Sequence, residues 1–225
     1  MSEALLSAIL PTGVAAEELF EDPPGLEPHP REAHLIEKAV EKRKREFTSA
    51  RHCARLALGR LGLDPAPILR GDMGSPVWPN GVVGSLTHCD GYRAAAVSYA
   101  LRLRSVGIDA EPHEPLPDGV LDAGSIAAER EVLATRTDGE GHWDKVLFCA
   151  KEATYKAWYP LTGRWLGFED AHITFERQDG DGAPTGSFRS ELLVPGHTTT
   201  GAPLTALNGR WIVADGLVLT AVSVT

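Results

Sequence analysis

The chain's pattern predicts an α+β fold of two lobes with similar build. Helical stretches give way twice to runs of strands, and segments rich in glycine and proline separate these groups. With 225 residues there is chain enough for one large domain or two small lobes with a sizeable core. Hydrophobic residues at 43% and charged residues at 24% are ordinary for a globular protein and exclude a disordered one.

"DPPGLEPHP" (Asp22 to Pro30) is a turn-rich segment closed to helix and to central strand. From Glu32 to about Leu61 the spacing of Ile36, Val40, Phe47, Ala50, Ala54, Ala57 and Leu61 predicts a helix with one apolar face, stopped at Gly62. "DPAPILRGDMGSPVWPNG" is a loop broken by four prolines. "VVGSLTH" and "RAAAVSYA" read as strands joined through "CDGY", and "SVGIDAE" as a third. Helical spacing returns in "AAEREVLAT" and, after the loop "DGEGH", most strongly in "WDKVLFCAKEATYKAWYPL". "DAHITFER", "SFRSELLV" and "RWIVADGLVLTAVSV" supply the closing strands, and Gln178 to Gly186 is a loop without chemistry.

Charge and cysteine content narrow the function classes. A net charge of −9 disfavours nucleic-acid binding. No run is long and apolar enough for a membrane span, and "MSEALLSAILPTG" does not read as a secretory signal, so a cytoplasmic protein is expected. Cys53, Cys89 and Cys149 form no C-x-x-C pair and are expected to be reduced and partly buried. Against the acidic background, "EKRKREFTSARHCAR" concentrates basic residues, mostly arginine, which suits bidentate anion contacts.

Four stretches hold residue types that do chemistry. In "SVGIDAEPHEP" an extended strand turns Val106, Ile108 and Ala110 inward and projects Asp109 and Glu111 together from the other face. Such a pair is either a solvated strand end or a site for a hard cation. In "FCAKEATYKAW", Leu147, Ala150, Thr154, Ala157, Trp158 and Leu161 form an apolar helical face. Glu152 and Lys156 lie opposite, with Phe148 and Tyr155 beside them. This is either an i,i+4 ion pair on a wet face or the wall of a groove for a thin organic arm. In "GSLTHCDGYRAA", Ser85 and His88 lack the elbow motif and orienting acid of a serine hydrolase, and could instead contact phosphate oxygens. In the basic helix, Arg43 falls within the apolar stripe and Arg51 on its border, costly positions unless an anion meets them, and Arg70 could join them.

Together these stretches resemble the Sfp-like, type II phosphopantetheinyl transferases, most closely the actinobacterial branch that includes the mycobacterial type II enzyme. The resemblance rests on Val106-Gly107-Ile108-Asp109-Ala110-Glu111, on Phe148-Cys149-Ala150-Lys151-Glu152-Ala153-Thr154-Tyr155-Lys156, and on the stretch from Trp78 to His88, all in the family's order. It implies two pseudo-twofold-related α+β lobes, each a small antiparallel sheet packed with helices. Their expected extents are 1–110 and 111–225, with the active site between them. Coenzyme A is implied as co-substrate, and a serine of acyl or peptidyl carrier domains of polyketide, nonribosomal peptide or fatty acid synthases as acceptor. Mg²⁺, with Mn²⁺ as the alternative, is implied at Asp109, Glu111 and Glu152, in a monomer.

Carried over by position, Arg43, Arg51, Arg70 and His88 would hold the phosphates and the adenine end, with Ser85 and Thr87 nearby. Gly71, Asp72 and Met73 would add contacts from the loop, Met73 through its backbone. Asp109, Lys151 and Lys156 would lie along the coenzyme, and Phe148, Tyr155 and Trp165 would line the pantetheine groove. Glu152 and Lys156 would be the catalytic pair, Glu152 as general base and Lys156 on the pyrophosphate. The chain departs from the family at Gly74-Ser75-Pro76, where a basic residue often replaces the serine, and at Met73, where a lysine is common. The reading from another class is a non-catalytic coenzyme A-binding protein.

Overall fold

The computed structural model describes residues 4–136, 142–178 and 182–225. The loop read at "DGEGH" lies outside the described residues except for His142, as does the centre of the loop between Gln178 and Gly186. Strand β1 (Ala15–Leu19) and helix α1 (Glu41–Arg60) are followed by a short hairpin of β2 (Leu69–Arg70) and β3 (Pro76–Val77). Three longer strands come next: β4 (Val82–Cys89), β5 (Tyr92–Tyr99) and β6 (Ser105–Pro112). The helices α2 (Val120–Ala123), α3 (Ala127–Thr135) and α4 (Trp143–Thr162) lead to β7 (Ala171–Gln178), β8 (Thr185–Gly196), β9 (Leu204–Ala214) and β10 (Leu217–Val224). No helix among the described residues is long and apolar enough to cross a membrane.

The strands form two antiparallel sheets, ordered β1-β5-β4 and β6-β10-β9-β8-β7, beside the small β2-β3 hairpin. Each large sheet carries one helix of 20 residues. On the first, Cys53, Ala54, Ala57 and Leu58 of α1 pack on Ala95 and Val97 of β5. On the second, Ala150, Ala153, Ala157 and Trp158 of α4 pack on Val218 and Val222 of β10. A division at residue 110 falls inside β6, which pairs with β10 from Leu217↔Pro112 to Val224↔Ser105. The change of sheet therefore comes earlier, between Tyr99 and Ser105.

The helix expected from Glu32 begins only at Glu41. Ala33–Leu35 is a single 3-10 turn, and Val40 is extended (ψ 155°) and 73% exposed. Tertiary contacts outweigh the helical spacing here, because the Glu32 carboxylate is wholly buried and bonded to Ile68 and Arg55. Strand β1 had no signal in "AAEEL"; it is an edge strand recruited by pairing with β5. "RWIVADGLVLTAVSV" is two strands joined at Asp215 and Gly216, both left-handed, as a two-residue hairpin requires.

The seam between the sheets positions the site. Strands β4 and β6 lie side by side without a ladder, and hydroxyls of β4 take the place of backbone acceptors. Ile108 donates its N–H to Ser85 Oγ (3.1 Å) and Ala110 to Thr87 Oγ1 (3.0 Å). Val106, Ile108 and Ala110 are buried against the first sheet, as the alternation predicted. The opposite face of β6 meets α4, and there Gly107 lets the backbones touch. A Cβ at Gly107 would stand 2.6 Å from Ala157 N and closer still to the Ala153 carbonyl oxygen.

Candidate active site

A cavity of about 820 Å³ opens along this seam, between α1, the β2-β3 hairpin, β4 and α4. Its walls include Arg43, Arg51, Arg70, Met73, Ser85, Thr87, His88, Glu152, Tyr155 and Lys156, ten of the residues picked from sequence. The cavity has a cationic end on α1 and, on α4 at its other end, Glu152 beside Lys156. Asp109, bonded to Lys156, and Glu111 of β6 lie outside its wall and form an acidic cluster behind that end.

At the cationic end the apolar stripe of α1 runs out of the core into the cavity. Phe47 and Ala50 bury the stripe, Arg51 one turn on is buried with them, and Arg43 one turn earlier is exposed at the mouth. Arg43 is thus not a core residue, although it stands in the core register. The Arg51 guanidinium lies over the Phe47 ring (3.4 Å to its centroid) and donates through Nε to the Ile68 carbonyl (2.9 Å). Burial, with Arg43, Arg55 and Arg70 adding to it and Glu32 opposing, pushes Arg51 down to about 10, so it stays charged at neutral pH. Arg43 Nη1 bonds His88 Nε2, and Glu46 Oε2 stands 3.6 Å from His88 Nδ1. Burial and the charges of Arg43 and Lys156 push His88 down to about 4. The ring is neutral at pH 7 and accepts from Arg43, because a guanidinium only donates.

Arg70, on β2, faces the cavity from the hairpin, whose turn is closed by Gly71 N–H to the Ser75 carbonyl (2.8 Å). Met73 in that turn is left-handed (φ 53°), exposed, and on the cavity wall. Gly71 and Asp72 shape the turn but do not reach the cavity wall.

In the acidic cluster Asp109 is only 5% exposed. Its Oδ1 accepts from Lys156 Nζ (2.7 Å) and from Thr87 Oγ1 (3.2 Å), while Oδ2 is buried without a hydrogen-bond partner. Lys156 also donates to the Ile108 carbonyl (3.2 Å), tying α4 to β6. Burial alone would lower the Lys156 ammonium, but the Asp109 carboxylate bonded to it, with Glu152, holds it above its ordinary value. Burial and the Asp109 charge push Glu152 up, and they do the same to Glu111, which also feels Glu152 and has Lys145 at 3.8 Å. The three acids therefore sense one another as like charges.

A divalent cation would relieve that repulsion and give Asp109 Oδ2 a partner, and carboxylate oxygens are the donors Mg²⁺ prefers. The donor chemistry fits, although among the described residues no three His, Cys, Asp or Glu side chains stand grouped as a finished ligand set. Ser85 Oγ accepts the Ile108 amide N–H, a contact that joins β4 to β6.

Besides Gly71, Asp72, Asp109 and Glu111, three residues picked from sequence lie off the cavity wall. Lys151 is turned away from the cavity, paired with Glu129 (2.8 Å) and donating to the Ala171 (2.9 Å) and Phe168 carbonyls. Those contacts hold the Lys151 ammonium on the side of α4 away from Glu152 and the cavity. Phe148 stacks on Phe168 (5.7 Å between ring centres) outside the cavity wall. Trp165 is 61% exposed and touches Tyr155 at the rim (4.9 Å). Conversely, Phe47, Trp78 and Tyr159 line the cavity and were not singled out. Phe47 and Tyr159 are each four residues from a chosen residue on the same helical face, a signal that was available. Trp78 donates its indole N–H to the Gly84 carbonyl (2.9 Å) and fills the space a side chain at Gly84 would take.

Comparison with known proteins gives the family. Residues 31–98 match the 4'-phosphopantetheinyl transferase N-terminal domain, and residues 105–192 match the 4'-phosphopantetheinyl transferase superfamily. The chain is 61% identical over 221 residues to 4'-phosphopantetheinyl transferase Npt of Nocardia iowensis, covering 97% of this chain and 99% of that one. It is 60% identical over 222 residues to 4'-phosphopantetheinyl transferase PptT of Mycobacterium tuberculosis, covering 97% of each. It is 47% identical over 226 residues to 4'-phosphopantetheinyl transferase Svp of Streptomyces mobaraensis, covering 98% of this chain and 89% of the relative. One matched segment falls on each side of the seam, with β1, β9 and β10 outside both, and the chain belongs to the 4'-phosphopantetheinyl transferase superfamily.

Proposed function

We propose that this transferase uses the cationic end of the cavity to hold the phosphates of coenzyme A and the Glu152 end to carry out transfer to a carrier serine. The observation that carries the reading is the seam itself, which puts Arg43, Arg51 and Arg70 in one cavity with Glu152 and Lys156. Arginines and a neutral His88 suit an anion of several phosphates. Lys156, held by Asp109 and the Ile108 carbonyl, contacts the pyrophosphate. Tyr155 lines the start of the pantetheine path, with Trp165 at its rim.

In the reaction the serine oxygen bonds to the β-phosphorus of coenzyme A as the bond to the bridging oxygen breaks. Adenosine 3',5'-bisphosphate leaves. Glu152 takes the serine proton, directly or through a water. Burial and Asp109 raise its pKa in the metal-free site, and a bound cation would favour the ionised form that accepts the proton. The arginines and Lys156 offset the pyrophosphate charge and keep the leaving group in line. Mg²⁺, or Mn²⁺, would be held by Asp109, Glu111 and Glu152 and would supply further charge neutralisation at the pyrophosphate.

The enzyme is read as a monomer. Three free, buried cysteines and the absence of a membrane-spanning helix among the described residues support the cytoplasm. The acceptors are carrier domains of polyketide, nonribosomal peptide or fatty acid synthases. Electron paramagnetic resonance of Mn²⁺ with coenzyme A and the protein tests the metal assignment. Bound Mn²⁺ that disappears in Asp109→Asn is the expected result; undiminished binding in that variant removes Asp109 from the ligand set.

A further inference from the structure

We infer that Glu32 and Arg55, neither of which reaches the cavity, are positioning residues that set the geometry of the anion-binding arginines. Glu32 is wholly buried. Its Oε1 accepts the Ile68 amide N–H at 2.7 Å, and its two oxygens take Arg55 Nη1 at 2.9 and 3.1 Å. The carbonyl of the same Ile68 accepts Arg51 Nε at 2.9 Å. One backbone residue is thus gripped from both sides by side chains of opposite charge.

This grip has two consequences for the cavity. Because Arg51 spends its Nε on Ile68 and lies over Phe47, its plane is fixed and its terminal nitrogens remain for an anion. Two residues beyond Ile68 comes Arg70 on β2, so the same anchor sets where that guanidinium leaves the hairpin. Glu32 also supplies the negative charge that opposes the mutual repulsion of Arg43, Arg51, Arg55 and Arg70 around a buried position. The early break between the 3-10 turn at Ala33–Leu35 and α1 lets Glu32 reach across α1 to Ile68.

The inference rests on the reading that these arginines hold the phosphates of coenzyme A, and the test separates the two. Binding of adenosine 3',5'-bisphosphate is measured by calorimetry for wild type, Arg51→Met, Glu32→Gln, Arg55→Met and Arg55→Lys. Steady-state constants for coenzyme A and carrier are measured alongside, and circular dichroism shows which variants are folded. Arg51→Met is expected to weaken nucleotide binding at least about tenfold, and Glu32→Gln and Arg55→Met about fivefold to tenfold. For the latter two, KM for coenzyme A rises in step while kcat and the carrier KM stay within about twofold, and Arg55→Lys restores binding.

Wild-type binding in folded Glu32→Gln and Arg55→Met, with binding lost in Arg51→Met, would overturn the positioning role and leave the phosphate reading standing. Undiminished binding in Arg51→Met would overturn the phosphate reading and the positioning role with it. Should Glu32→Gln not fold, the Arg55→Met and Arg55→Lys pair decides.

Discussion

Glu152→Gln is expected to lower kcat by about two to four orders of magnitude while coenzyme A still binds, because the variant keeps the shape of the side chain but loses its basicity and its charge toward a cation. Stability should move the other way. A carboxyl whose folded pKa is raised is more easily ionised in the unfolded chain. Its ionised form therefore costs folding free energy, and that cost appears as pH rises above the ordinary carboxylate range. At neutral pH in chelator, Glu152→Gln removes the cost that burial and Asp109 impose, so Tm is expected to rise. An inactive protein of raised Tm separates loss of the base from loss of the fold. Near wild-type kcat would remove Glu152 from its role as base, and a lowered Tm would contradict the electrostatic account of the acids.

Gly107→Ala is expected to be the most damaging small substitution on β6. The added Cβ would stand 2.6 Å from Ala157 N and 3.0 Å from Ala157 Cβ, and nearest of all to the Ala153 carbonyl oxygen. No rotamer change relieves a clash with helix backbone, so α4 must move off β6. A cost of about 3 kcal/mol or more follows from overpacking a site that cannot yield. The displacement would also pull Lys156 from Asp109 and from the Ile108 carbonyl, so activity should fall even below the melting temperature. Thermal denaturation and kcat measured on the same preparation check this. A Tm within a degree or two of wild type would show that α4 and β6 are not pressed together as described.

What could be read from sequence was what depends on local spacing. The alternation in "SVGIDAE" correctly sent Val106, Ile108 and Ala110 one way and Asp109 the other. The apolar face of α4 was likewise legible, and with it the presentation of Glu152, Tyr155 and Lys156 to the cavity. Non-local choices were hidden. Nothing near Lys151 announces that Glu129, more than twenty residues earlier, claims its ammonium. Nothing in "EAHLIEKAV" shows that Glu32 is committed to Ile68, and so the helix was drawn nine residues too long at its start. Ser85 was read with His88 as a phosphate contact and Thr87 as a neighbour; both hydroxyl residues line the cavity and also bond to the edge of β6. They shape the site by joining the two sheets there, a role that only the packing of the sheets reveals.

Intact-mass measurement of apo carrier domains after incubation with the protein, coenzyme A and Mg²⁺ tests the central claim most directly. Carriers from a fatty acid, a polyketide and a peptide synthase should be tried in parallel, with Glu152→Gln as the control. The predicted result is a gain of one phosphopantetheinyl group on a serine of at least one carrier, release of adenosine 3',5'-bisphosphate, and no gain with the variant. Unchanged masses for every carrier, from a protein that still binds coenzyme A, would contradict the account and leave a coenzyme A-binding protein without transfer.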